Sequence, residues 1–301
     1  MSLPPPSGSD WNSSDWGRDS GRSDSERSER EARRLATPLS DPLVPPDLRG
    51  WLDRVVGVVQ RSLVPLLIIQ LGAAAASALI SYTVLPDLGL TPASGGLGSL
   101  AAPGAQLPAP SVFDSTMSLI GLIILLGVTV LAQGASVFVA VRDAAGRRVS
   151  AEEALRFAAK RAPALIGWGL FAGMLFTFGV FALIVPGVYF AVVFGASLTG
   201  VVTIERGPLG RCFQLVNRRF WPTAGRMVIA IGCALVYAKL AGYLVSALSQ
   251  PGSFNQALLG VLVSVPLGMG AVGVGVVTYA ELRFHETGLV LTPTLAEELD
   301  R

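Results

Sequence analysis

The chain has 301 residues, of which 51% are hydrophobic and only 15% charged, with a formal net charge of +2. An ordinary globular protein carries roughly 25% charged residues, so the composition argues against a soluble body, and the small net charge leaves no basic field to recruit nucleic acid. One histidine, His285, and two cysteines, Cys212 and Cys233, exclude a disulfide framework and most catalytic and metal-site designs, so no cofactor is expected.

The first element in chain order is a polar tail, residues 1–46, rich in Ser, Asp, Glu, Arg and Pro. It holds too little apolar surface to offset the entropy of ordering and is expected to be disordered. Trp11 and Trp16 within it are expected to be solvated residues rather than a docking motif. The opening lacks a short apolar core followed by a small-residue cleavage site, so targeting is expected to come from the first true span.

From Leu48 the pattern turns helical. Leu48, Trp51, Leu52, Val55, Val56 and Val59 share one face and Arg49, Asp53, Arg54 and Arg61 fall elsewhere, which predicts an amphipathic helix in the headgroup layer. A hydrocarbon core of about 30 Å needs roughly twenty helical residues. Pro65–Leu85 meets that length, and Met117–Val141 follows after a Pro/Gly/Ser-rich loop without Lys or Arg, Asp87 to Asp114.

Arg142 to Arg161 restores charge. Ser150 with Glu153 forms a capping box and Glu152 with Arg156 an i,i+4 pair, predicting a second surface helix. Ala164–Ile184 is the third span, Val185-Pro186-Gly187 a break, and Val188–Ile204 a short fourth span. Glu205 to Arg226 predicts a third surface helix, with Pro208 in its first turn and Leu209, Cys212, Phe213 and Val216 on one face. Met227–Leu248 and Gln256–Ala280 are the fifth and sixth spans, and the charged stretch from Glu281 to Arg301 closes the chain.

The 23 Lys and Arg residues are placed asymmetrically. Nine precede the first span, six lie between spans two and three, five between four and five, and two after span six. The loops on the other side carry none, and the last cation is Lys239 inside span five. By the positive-inside rule both termini are expected in the cytoplasm. The bias to Arg over Lys, with the Ala, Gly and Val content, suggests a GC-rich bacterial genome, hence a bacterial plasma membrane.

The layout also repeats. A basic amphipathic helix, a proline and a pair of spans recur three times, with Arg61 before Pro65, Arg161 before Pro163 and Arg219 before Pro222. Three hairpin units would produce this, and so would the generic need of any hairpin for basic anchors and a helix-starting proline.

Four stretches in order resemble the bacterial glycerophosphoryl diester phosphodiesterase membrane-domain family. They are Trp51-Leu52-Asp53-Arg54 continuing to Pro65-Leu66-Leu67; Gly146-Arg147-Arg148-Val149-Ser150 with Glu153-Ala154-Leu155; Val185-Pro186-Gly187-Val188-Tyr189 with Glu205-Arg206 and Arg218-Arg219-Phe220-Trp221; and Tyr279-Ala280-Glu281-Leu282-Arg283 with Glu286-Thr287-Gly288. The resemblance runs from about Leu48 to Glu298. It departs where the family usually has a serine after the first arginine of its cytoplasmic helix and this chain has Asn217-Arg218. The resemblance implies the membrane part only. In fused relatives the chemistry belongs to a separate barrel with paired histidines and metal-binding carboxylates, which His285 alone does not supply.

Candidate contacts follow from charge. Lys239 is the one cation well inside a span, nine residues or about 13 Å from Leu248, beyond the reach of a snorkelling stem. A protein interior or a water-filled cavity is therefore expected around it. There it could meet an anionic lipid or substrate, or bond carbonyls and polar groups such as Gln70 or Gln133. Gly169, Gly173 and the glycines of span six, Gly268, Gly270, Gly273 and Gly275, favour close helix packing. Arg147, Arg148, Arg218 and Arg219 could hold anionic headgroups as well as set topology.

The sequence thus predicts an all-α polytopic membrane protein with six spans and three interfacial helices. The membrane domain covers 47–284 and a short cytoplasmic tail covers 285–301. The function expected is a non-catalytic interaction or envelope/lipid-associated module, with membrane lipids, anionic ones included, and other membrane proteins as candidate partners. The alternative is a transporter or lipid-handling protein with a cavity near Lys239.

Overall fold

The computed structural model describes residues 41–84, 112–182, 184–205, 209–250, 254–288 and 292–300. Ten helices and no strands occur among them. They are α1 (Leu48–Arg61), α2 (Leu63–Val84), α3 (Val112–Ala144), α4 (Ala151–Lys160), α5 (Ala162–Ala182), α6 (Ile184–Gly200), α7 (Gly210–Asn217), α8 (Phe220–Leu248), α9 (Phe254–Thr287) and α10 (Thr292–Asp300). A π-helical turn, Val201–Glu205, extends α6. Six of the helices are long and apolar enough to cross a membrane, as the sequence predicts. The expected surface helices are α1, α4 and α7. At the start of α4 the Ser150 hydroxyl accepts the Glu153 N–H at 3.2 Å, and Glu152 pairs with Arg156 at 2.6 Å.

The three hairpin units share one corner. Each surface helix stops at a single junction, where the Ser62 N–H donates to the Val58 carbonyl, Arg161 to Ala158 and Arg219 to Val216. The next span then starts with Leu66 N–H on the Ser62 carbonyl, Leu165 on Arg161 and Thr223 on Arg219, at 3.0, 3.0 and 3.2 Å. Pro65, Pro163 and Pro222 fall in the first turns of α2, α5 and α8, where a missing N–H leaves no helical bond unmade. Each junction residue also reaches the charged end of its unit's second span. Ser62 donates to Asp143 at 2.8 Å, Arg161 to the Thr203 carbonyl, and Arg219 lies 3.8 Å from Glu281. The three corners thus share a backbone pattern, while the side-chain contacts that close them differ in chemistry.

Helix α9 is the common post, packing against α1, α2, α3, α6 and α8. Trp51 of α1 is buried and its indole N–H donates to Thr278 of α9 at 3.0 Å. Val55 of α1 lies against Gly273, where a Cβ would come within 2.9 Å of the Val55 carbonyl oxygen. Of the glycines expected to pack closely, Gly169 meets Val130 and Gly268 meets Gln70, while Gly173, Gly270 and Gly275 face open space. Helix α8 is peripheral. It buries 11% of its apolar window, against 56% for the span ending at Glu205.

Several boundaries differ from the sequence reading. The break between spans three and four falls after Ala182 rather than at Val185-Pro186-Gly187, because Pro186 fits the first turn of α6. The C-terminal segment is not a simple tail. Helix α9 continues to Thr287, and α10 buries Leu295, Ala296 and Leu299. Residues 41–46, the end of the polar N-terminal segment, are packed rather than disordered. Leu43 and Val44 are buried, and Asp41 accepts hydrogen bonds from the Leu43, Val44 and Thr292 N–H groups and the Thr292 hydroxyl. The expected disorder of residues 1–40, the expected loop from 87 to 111 and Pro208 lie outside the described residues, while residues 112–114, expected as the end of that loop, already belong to α3.

Candidate functional site

Nearly all described charge gathers at one end of the bundle, which we call the basic end. Continuation of α9 beyond the apolar stretch puts Tyr279, Arg283 and Glu286 on one helical face at i, i+4 and i+7. The π-helical turn delivers Glu205 opposite them. Glu205 accepts from the Tyr279 hydroxyl at 2.7 Å and from Arg211 at 2.8 Å, and pairs with Arg283 at 3.1 Å. Arg211 of α7 grips Glu286 through two bonds of 2.7 and 2.5 Å, and Arg283 holds Glu298 of α10 at 2.7 and 2.9 Å. The Glu286 and Glu205 carboxylates raise the Arg211 pKa, so its charge is fixed at every accessible pH. A second cluster pairs Glu281 with Arg226 at 2.6 Å, with Arg219 and His285 each at 3.8 Å. These alternating charges lock five chain segments together, the π-helical turn, α7, the start of α8, the end of α9 and α10. Cys212 beneath them is buried, which pushes its thiol upward and makes it an inert filler.

Beside this lock lies a cavity of about 760 Å³ between α3, α4, α5 and α10. Its lining contains four cations, Arg142, Arg156, Lys160 and Arg161, and two carboxylates, Glu153 and Asp300. The floor is aromatic. Phe138 stacks on Phe157 at 4.2 Å, and each ring carries a guanidinium, Arg142 at 4.7 Å and Arg161 at 4.0 Å. Trp168, Pro163 and Ala164 continue the wall along α5. Arg142 bridges Glu153 and Asp300, and its hydrogen bond holds the Asp300 carboxyl below the usual aspartate range. Lys160 is exposed. A second, apolar groove of about 420 Å³ runs between α1, α8 and α9, lined by Trp51, Val55, Met227, Tyr237 and Pro266 among others.

The predicted contacts do not converge. Arg147 pairs with Asp300 at 2.6 Å near the cavity, and Arg148 is exposed. Arg218 and Arg219 sit at the α7–α8 corner, 4.0 Å from Glu286 and 3.8 Å from Glu281. Lys239 is twenty residues further along α8, hence about 30 Å from Arg219.

Lys239 also corrects the expectation of an interior or a cavity. It is exposed and lines neither hollow. Gln70, considered as its polar neighbour, instead donates to Ser136 at 3.0 Å. The reason is the one-sided packing of α8. Thr223, Met227, Ala241 and Val245 are its buried residues, and at 100° per residue Lys239 stands about 200° around the helix from Ala241. A cation at such depth costs about 2.5–3.5 kcal/mol on insertion scales.

No protein-family model, curated protein or solved structure matches the chain.

The sequence reading missed Glu205, Glu281, Arg283 and Glu286 as a network because it ended span six at Ala280. A signal was present: Tyr279, Arg283 and Glu286 keep helical spacing past that point. The cavity was not readable, since its lining comes from stretches up to 162 residues apart, from Phe138 to Asp300.

Proposed function

We propose that this chain is a non-catalytic, lipid-associated module of a bacterial plasma membrane. Its basic end faces the cytoplasm and seats the headgroup of an anionic phospholipid in the cavity bounded by α3, α4, α5 and α10. The observation that carries this reading is the pairing of four cations with an aromatic, apolar wall in one hollow at the end of apolar spans. Guanidinium and ammonium groups suit phosphate oxygens. Trp168 and the exposed flank of α5 suit the top of an acyl chain, because amphipathic aromatics favour the interface. The cytoplasmic orientation rests on the distribution of Lys and Arg.

The non-catalytic reading rests on the side-chain inventory. The apolar spans hold no Asp or Glu between their charged ends, and the chain has one histidine. The family resemblance to the membrane part of phosphodiesterase relatives agrees with that reading. A transporter built around Lys239 has lost its structural motive, since neither hollow reaches that residue.

Lipid-resolved mass spectrometry of protein purified in mild detergent tests the proposal. Wild type should retain phosphatidylglycerol or cardiolipin over phosphatidylethanolamine. Arg156→Ala and Lys160→Ala should each reduce that retention about fivefold, because a basic group near an anionic surface is worth about 1 kcal/mol. Equal retention of anionic and zwitterionic lipid, or no effect of either variant, overturns it.

A further inference from the structure

We infer that the outward face of α8 is a docking surface for a transmembrane helix of another protein, one carrying an Asp or Glu near its middle, and that Lys239 is the residue that recognises it.

Placement comes first. The apolar part of α8 runs from Met227 to Leu248, 22 residues or about 33 Å, which matches a hydrocarbon core of about 30 Å. Lys239 is the thirteenth of these residues, close to the midplane. Its Cα–Cβ bond tilts toward the helix N-terminus, as in every α-helix. Its stem therefore leans along the longer path, toward Arg226 about 20 Å away, and cannot bring the ammonium to water. Among the described residues no hydrogen bond or ion pair reaches Lys239, and it points away from α9 and α6, the spans that α8 touches.

Charge then selects the occupant. A lysine held in hydrocarbon is stable when a carboxylate meets it at the same depth, where both charges gain from the low dielectric. This chain cannot supply that carboxylate from a second copy. None of its six apolar spans carries Asp or Glu near the midplane, and a symmetric contact along α8 would set Lys239 against its own mate. The partner is therefore a different chain. The surrounding surface fits a helix laid alongside. Gly232 and Gly242 present open backbone on either side of Lys239, and Val228, Leu235 and Tyr243 are exposed ridges on the same face. This inference is independent of the lipid cavity, which lies at the basic end on other helices.

Two arms test it on the full chain. In vesicles of phosphatidylethanolamine and phosphatidylglycerol, energy transfer is measured to a labelled Leu/Ala transmembrane peptide of about 21 residues with one central Asp. The comparison peptide has Leu at that place. Wild type should prefer the Asp peptide by about tenfold; Lys239→Met should lose the preference and Lys239→Arg should keep it. In native membranes, the photo-cross-linker benzoylphenylalanine at Leu235 or Tyr243 should yield an adduct to a membrane protein with an intramembrane carboxylate. That adduct should vanish in Lys239→Met and return when Lys239→Glu is combined with a lysine at the partner's acidic position. The same cross-linker at Phe178 on α5 should not give it. Equal binding of both peptides, adducts only to lipid or to a second copy, or an adduct indifferent to Lys239→Met would each overturn the inference. Since no hydrogen bond or ion pair among the described residues reaches Lys239 and its charge is costly at that depth, Lys239→Met should hold or raise expression and melting, and either variant that melts no lower than wild type makes these results decisive.

Discussion

The pair Arg226–Glu281 ties span five to span six at the basic end and offers a sharp test of how the charge network stabilises the bundle. The two groups are 2.6 Å apart, with 13% and 4% of their side chains exposed. Arg226→Met removes the close partner of a nearly buried carboxylate. Glu281 then keeps Arg219, 3.8 Å away and 39% exposed, whose solvent-screened attraction is worth at most about 1 kcal/mol. A stranded buried charge of this kind costs about 3–5 kcal/mol. Glu281→Gln should cost less, about 1.5–3 kcal/mol, because the amide oxygen can still accept from Arg226 and the guanidinium can lean toward the basic end. The double variant replaces the pair by uncharged groups and should lie within about 2 kcal/mol of wild type, since removing both charges abolishes the desolvation penalty. The assay is reversible unfolding in detergent micelles, or steric trapping in bicelles, read as a double-mutant cycle. Additivity within about 0.5 kcal/mol would show that the two side chains do not act as a pair and would refute this account.

Other features lead to further expectations. Gly200→Ala should lower stability by about 1–3 kcal/mol as an overpacked core does, because the new Cβ would strike the ring of fully buried Tyr279; a melting temperature equal to wild type would mean that the ring has room to move. Deleting residues 1–40 should leave insertion and melting unchanged, whereas deleting 1–46 removes buried Leu43 and Val44 and the Asp41 bonds to Thr292, a loss of about 1.5–3 kcal/mol per apolar side chain. Asp300 has its pKa lowered by Arg142, so its contribution to docking α10 is full above the ordinary aspartate value of 3.8 and is lost as pH falls through the lower folded value. Protease accessibility of α10 should accordingly be flat from pH 8 to about pH 5 in wild type and in Asp300→Asn alike, with the variant more accessible at every pH in that range.

The sequence alone determined the class of the molecule and most of its elements. Hydropathy at membrane length and the exclusion of Lys and Arg from alternate loops are one-dimensional signals, because in hydrocarbon each span must satisfy its own backbone. Surface helices were legible for a similar reason: Trp51 and Val58, or Ala154 and Ala158, recur at helical spacing whatever they pack against. Even the three corners were foreshadowed by Pro65, Pro163 and Pro222. What the fold alone decided was which faces meet. The surface of α8 is apolar nearly all round, so no periodicity tells which side is buried, and the charge of Lys239 by itself points to an interior that the packing does not provide. Tertiary packing instead spent the contacts of α9 on α1, α2, α3 and α6 and left α8 with a single flank. The charged residues after Ala280 read as a solvated tail, since a carboxylate and a guanidinium look alike to a pattern whether they face water or each other. Their burial depends on Glu205 and Arg211, more than seventy residues earlier in the chain, and only the folded structure brings opposite charges from such distant segments within hydrogen-bonding range.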